Sequence, residues 1–235
     1  MGRAKEIIVK VIQAKIANEF VKQNHYSGKV VPNSTLHFGC FLDGKLHGVL
    51  SYGPSINKKG TMNLVENTGW NEFIELNRMA FDDYLPSNSE SRCIAISIKL
   101  IKKNAPHIKW VISFADGTQC GDGTIYRASG FNLVGIVDNT ALRINPKTGE
   151  AIHVIQAHHL KISNEFRTWK AFEGKQLKYV YLIDKTCKIT VPILPFSKID
   201  EMGAGMYKGK KITLQERKVN LSGGMVSNLA SNLDD

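Results

Sequence analysis

Apolar positions change their spacing several times along the chain, and each change marks an element. Glu6–Ile12 is rich in β-branched residues and predicts a first strand. From Gln13 the period becomes helical. Ile16, Ala17, Phe20 and Val21 share one face, and the helix stops before Asn24-His25-Tyr26-Ser27-Gly28. Leu36–Leu42 and Leu46–Tyr52 form a hairpin around Asp43-Gly44, a strong tight-turn signal. Ser55–Gly69 is polar and reads as a mobile loop. Glu72–Phe81 alternates as a strand, with Phe73 and Leu76 apolar and Arg78 among them. Pro86 breaks that pattern. Ser87-Asn88-Ser89-Glu90 then fits a capping box for a helix to about Asn104, burying Ile94, Ala95, Ile98 and Ile101.

Ile108–Phe114 is nearly all apolar, as in a strand buried on both faces, with Asp116 just beyond its end. A Gly-rich bend over Gly117–Gly123 leads to a short helix, Thr124–Ser129, and a strand, Phe131–Val137. The order is β-α-β-β-β-α-β-α-β. A hairpin over Arg143–Ile155, a helix over Ser163–Phe172 and a strand over Leu177–Ile183 follow. One α/β domain over residues 1–220 is expected, with a disordered tail over 221–235.

Composition narrows the class. Hydrophobic residues are 43% and charged residues 22% of the 235, an ordinary globular balance. A net charge of +10, spread as Lys58-Lys59, Lys102-Lys103, Lys208-Lys210-Lys211 and Arg217-Lys218, suits a broad basic face. Nucleic acid is the favoured partner over generic solubility charge, although charge does not separate DNA, RNA and an anionic cofactor. Cys40, Cys93, Cys120 and Cys187 form no CxxC pair, which argues against a structural zinc site or a disulfide framework. No apolar run approaches the roughly 18 residues of a membrane span, so a soluble, cytoplasmic protein is expected, with no membrane partner.

Ligands of open α/β sheets sit beyond strand carboxyl ends, near helix N-termini. Two segments fit. At the start of a helix, Asn88, Ser89, Ser91 and Arg92 suit a phosphate or carboxylate, with simple capping equally open. In Asp116–Tyr126, Asp116 and Tyr126 offer a base and an acid on neighbouring elements, against turn and cap roles. His25-Tyr26 in a loop offers acid–base or stacking work, and Arg78 on an apolar strand needs a partner or an anionic ligand. His158-His159 reads as a surface feature rather than a metal site. Cys120 has no adjacent His to mark it as a nucleophile.

ELNRM (Glu75–Met79), NSESR (Asn88–Arg92) and ISFADGTQCGDGTIYRASGF (Ile112–Phe131), with His25-Tyr26 upstream and VPILPFSKIDEMGAGMYKG (Val191–Gly209) downstream, resemble the Mom family of phage DNA-modification proteins. The resemblance runs over roughly residues 10–210. It implies a GNAT-like fold, a mixed and mostly antiparallel central sheet flanked by helices. It also implies transferase activity that converts adenine N6 in DNA to a carbamoylmethyl (acetamido) derivative, shielding phage DNA from host restriction enzymes. The positions carried over are His25, Tyr26, Arg78, Ser91, Asp116 and Tyr126. The Pro86–Arg92 segment lacks the glycines of the wider GNAT pyrophosphate loop. The donor is therefore open between acetyl-CoA and an aminoacyl-tRNA such as glycyl-tRNA, with tRNA then a second partner. Iron is also considered for this family, but the sequence offers no ligand set.

On that resemblance, Asp116 orients or deprotonates N6 and Tyr126 protonates the leaving group. Ser91 and the helix start hold the donor, Arg78 binds an anionic group or braces Asp116, and Tyr26 stacks on the base. The rivals are a conventional GNAT N-acetyltransferase acting on a small amine or protein, and a non-catalytic nucleic-acid-binding protein.

Overall fold

The computed structural model describes residues 3–117, 123–139, 141–171, 174–201, 206–207 and 210–211. Cys120, most of the Gly-rich bend and the expected tail lie outside these residues. The described residues fall into two compact units. The first comprises Met1–Phe114, Gly123–Gly135 and Lys178–Leu194, and the second Ala115–Asp122, Ile136–Leu177 and Pro195–Asp235.

A seven-stranded sheet takes strand order β1-β2-β3-β4-β5-β9-β6. Its members are β1 (Ile8–Val11), β2 (Leu36–Leu42), β3 (Lys45–Gly53), β4 (Phe73–Phe81), β5 (Trp110–Asp116), β6 (Asn132–Asp138) and β9 (Lys175–Leu182). The β1–β2, β2–β3 and β3–β4 pairs are antiparallel and β4–β5 is parallel, the mixed sheet expected from the sequence. Asp43 and Gly44 both take positive φ, 51° and 76°, as the tight β2–β3 turn requires.

Helix α1 (Ala14–Asn24) buries Ala17 and Val21 against Val49 of β3 and Ala80 of β4. Ile16, expected on that face, is 47% exposed, because the contact with the sheet is centred on Ala17 and Val21, with Phe20 packed beside them. Helix α3 (Ser89–Asn104) packs on the opposite face. It buries Cys93, Ile94, Ser97, Ile98 and Ile101, while Ala95 is exposed. Polar Ser97 turns inward because both its hydroxyl contacts are satisfied there: it donates to Ile94 O (2.8 Å) and meets Tyr52 Oη at 2.6 Å. The expected capping box does not form. The N-cap is Asn88, at φ 67°, with no side-chain cap.

The 55–69 segment is not a bare loop. It carries the short helix α2 (Lys58–Met62) and inserts Leu64 and Val65 into a core with Phe73, Trp110, Ile112, Val134 and Val180. There the Phe73 and Trp110 rings stack at 4.4 Å and 11°. Backbone bonds from Glu66 N to Lys188 O and from Thr190 N to Leu64 O tie the segment down. Its polar surface gave no sign of this anchoring.

In the second unit, β7 (Leu142–Ile144) and β8 (Ala151–His153) form the expected hairpin. Helix α5 (Val154–His159), which the sequence reading did not separate from that hairpin, and α6 (Ser163–Thr168) enclose Ile152, Ala157, Phe166 and Trp169. His158 and His159 are exposed at the end of α5. No helix among the described residues is long and apolar enough to cross a membrane.

Gly53 ends β3 where space is tight: a Cβ there would meet Asn33 O at 2.2 Å and Asn77 Oδ1 at 2.7 Å. Gly53→Ala should lower the unfolding free energy by about 1–3 kcal/mol, read as a drop in the urea midpoint at unchanged slope.

Candidate functional site

The β3–β4 ladder contains an irregularity. Ser51 pairs with Arg78, but the next residue, Tyr52, pairs with Leu76, so Asn77 is an extra residue in β4. Side chains alternate along a strand, so two residues three apart ordinarily face opposite sides of a sheet. The bulge shifts the phase by one. Glu75 lies opposite Gly53 and Arg78 opposite Ser51, and residues 51 and 53 share one face of β3. Glu75 and Arg78 therefore share the face on which α1 packs. The parallel β4–β5 ladder ends at the same level, its last pair being Leu76↔Ser113, while both strands run on.

On the α1 face, Arg78 Nε donates to Lys29 O (3.1 Å), which ties β4 to the segment after α1. His25 caps that helix. Its Nδ1 accepts from Ser27 N (3.1 Å) and lies 2.8 Å from Ser27 Oγ, so the proton of the neutral ring is on Nε2. Burial, then the positive charge on Arg78, pushes the imidazole down from 6.5 to about 4. Tyr26 is 57% exposed, its ring 4.2 Å from that of His25. The Glu75 carboxyl is pushed above its ordinary value by burial, against the pull of Ser55, Asn77 and Arg78. Asn77 Oδ1 accepts from Ser34 Oγ at 3.2 Å.

On the α3 face, Tyr126 of α4 (Thr124–Ala128) is 7% exposed, stacked on Tyr179 at 4.3 Å and 9°. Its hydroxyl is 3.0 Å from Ser113 Oγ, which donates its only proton to Leu76 O (3.1 Å). Tyr126 is thus the donor in its bond with Ser113. A phenolic proton is held where the β4–β5 ladder stops.

At the α3 N-terminus, the expected anion-binding residues are turned to nearby backbone. Ser89 Oγ donates to Pro86 O, Ser91 Oγ to Asn88 O (3.2 Å) and Arg92 NH2 to Lys5 O (3.1 Å). Arg92 Nε is buried without a hydrogen-bond partner among the described residues. The helix dipole and this cation keep the end of α3 favourable to negative charge.

Asp116 is the last residue of β5 rather than a residue beyond it, and it belongs to the second unit. The first unit brings His25 and Arg78 together on one face and holds Tyr126 on the other. Sequence reasoning passed over Glu75, Asn77 and Ser113. The odd spacing of Glu75 and Arg78 in a strand was the available signal for a bulge.

The family model of the Mom protein family matches residues 6–198. Methylcarbamoylase mom of Escherichia phage Mu is 37% identical over 159 residues, which span 67% of this chain and 64% of that protein. Among solved structures, the chain is similar to a putative phosphinothricin N-acetyltransferase (TM-score 0.49, 10% identity, 76% of this chain and 99% of that one). It is also similar to an IAA acetyltransferase from Bacillus cereus (TM-score 0.46, 10% identity, 75% and 99%). At these scores and identities the structural likeness says nothing of function.

His25 also fixes a pH dependence. Unfolded, the ring protonates near 6.5; folded, near 4. Between those values the unfolded chain binds more protons, so stability falls as pH drops through the window, and the loss is complete below about 4. Urea unfolding at pH 7, 5.5 and 4 should show His25→Asn losing less stability than the parent over this range.

Proposed function

Because the chain belongs to the Mom protein family, we propose that it modifies DNA, converting adenine N6 to a carbamoylmethyl (acetamido) derivative that shields the DNA from restriction enzymes. The observation that carries this reading is the family match over residues 6–198. It is supported by His25 and Arg78 lying together on the α1 face of the first unit and by Tyr126 lying on its other face. The basic charge of +10 favours a polyanionic substrate.

Adenine N6 is paired and stacked inside duplex DNA, so the base is taken out of the stack or offered in a single strand. Tyr26, exposed and backed by His25, has the form of a stacking platform for it. Neutral His25 presents an Nε2–H donor, and Arg78 fixes the loop that carries both. Tyr126 gives its proton to the leaving group of an activated acyl donor. That donor is an acyl-CoA or an aminoacyl-tRNA such as glycyl-tRNA, and its negative charge is met by the α3 N-terminus with Asn88, Ser91 and Arg92. The expected Ser89 is fully buried and donates to Pro86 O instead. Asp116, in the second unit, enters through the family resemblance alone, as the acceptor that orients the amine. Among the described residues, no three His, Cys, Asp or Glu side chains converge as a metal ion would need.

Mass spectrometry of nucleosides from plasmid DNA of expressing cells tests the reading. A heavier deoxyadenosine is expected, and Tyr126→Phe should slow its accumulation after induction by about 10²–10⁴-fold. Tight acetyl-CoA binding without any altered nucleoside would point to an ordinary N-acetyltransferase instead.

A further inference from the structure

The α1 face holds a carboxyl that none of these roles uses. Glu75 sits in β4 beside Gly53 of β3 and Ile112 of β5, one residue before the last pair of the β4–β5 ladder. Removing a carboxyl from water is costly, and an apolar residue would fill a core position without that cost. Here the chain surrounds the group with polar partners. Ser55, Asn77 and Arg78 all act on it, and Arg78 acts on His25 as well.

The arrangement is specific to the bulge. With a regular β4, Glu75 and Arg78 would point to opposite faces. With Asn77 inserted they share one, which is also the face of His25 and Tyr26. Gly53, opposite Glu75, lets Asn33 O and the Asn77 side chain close in where a Cβ would stand. A half-buried carboxyl with a perturbed titration amid fixed polar groups is a common form of proton acceptor.

We propose that Glu75 is the proton acceptor for the attacking amine, a role distinct from that of Asp116. This rests on the DNA-modification reading. In the transfer step the N6 lone pair forms a bond to the carbonyl carbon of the acyl donor, and the bond from that carbon to the leaving group breaks. The leaving group departs with its electron pair, and N6 is left acylated. A transferred glycyl group holds the same atoms as a carbamoylmethyl group, and its re-attachment through the methylene carbon is a later step in which Glu75 takes no part. The N6 proton passes to the Glu75 carboxylate, and the leaving group takes the Tyr126 proton. Both side chains return to their starting states by exchange with water. The acceptor then lies on the α1 face and the leaving group on the α3 face, with the ladder end between them. Arg78 is the charged group that acts on Glu75, from β4 itself, and it acts on His25 at the end of α1 as well. Because His25 is neutral near pH 7, it does not compete as a second cation.

The test compares Glu75→Gln with Glu75→Asp, through the heavier deoxyadenosine in plasmid DNA from expressing cells. Amounts are normalised to folded protein, judged by thermal melts of the purified variants. Glutamine keeps the length and hydrogen-bonding shape of Glu75 but takes no proton at these pH values; aspartate keeps the base and shortens the arm. A proton acceptor predicts accumulation reduced at least about 100-fold in the glutamine protein and within about 10-fold of the parent in the aspartate protein. A purely structural Glu75 predicts the reverse order. A glutamine variant as active as the aspartate one, or one whose loss merely follows its loss of folded protein, overturns the proposal. If the parent protein itself leaves deoxyadenosine unaltered, the DNA-modification reading fails and this role fails with it.

Discussion

A strand presents alternate residues to opposite faces, so the pair Glu75 and Arg78, three apart, belongs on two sides of a regular sheet. The inserted Asn77 removes that conflict. It places both charges on the α1 face, lets Arg78 reach Lys29 O and the His25 loop, and leaves Leu76 and Ser113 as the last pair between β4 and β5. The local cost is a ladder position in which Asn77 has no partner in β3. What it yields is a polar cluster inside a sheet whose remaining strands are packed with Val, Leu, Phe and Trp side chains. Around the bulge, Gly53 supplies clearance and Ser34 anchors the Asn77 amide.

On the other face the same level of the sheet is organised by hydroxyl groups. Ser113 and Ser97 each give their single proton to a backbone carbonyl, Leu76 O and Ile94 O, and each therefore receives one from a buried tyrosine. Tyr126 and Tyr52 are fixed in this way as donors. The resulting hydrogen bonds orient both phenols, and for Tyr52, fully buried, the bond offsets a desolvation penalty of about 1–3 kcal/mol. Burial also pushes the Tyr52 phenol well above its ordinary value, so it stays protonated. The sheet thus separates a face that carries two protonated phenols from one that carries a carboxyl and a neutral imidazole.

Much of this architecture was legible in the sequence because it follows from periodicity. The β2–β3 hairpin, α1, α3 and the doubly buried β5 came from simple spacing and turn residues, and Asp43-Gly44 took the conformation its composition implied. Reading failed where an interaction over long sequence separation overrode a local pattern. Ser97 faces inward because Tyr52, forty-five residues away, gives it a partner. The polar 55–69 segment is anchored because Leu64 and Val65 enter a core built by later strands. The motif around Arg78 was recognisable, but the phase shift that gives Glu75 and Arg78 a common face depends on pairing with β3, which no single-strand pattern encodes. Asp116 and Tyr126 were found as residue types; that they fall in different units was not visible.

Under the proposed function, the ladder end between β4 and β5 is where the transfer takes place. Ser113 tests it most directly, since its hydroxyl joins Leu76 O to the Tyr126 phenol. The measurement is deoxyadenosine modification by Ser113→Ala alongside its affinity for DNA. The account predicts a folded protein with parental DNA affinity and a sharply reduced rate of modification. Parental modification by that variant would contradict it.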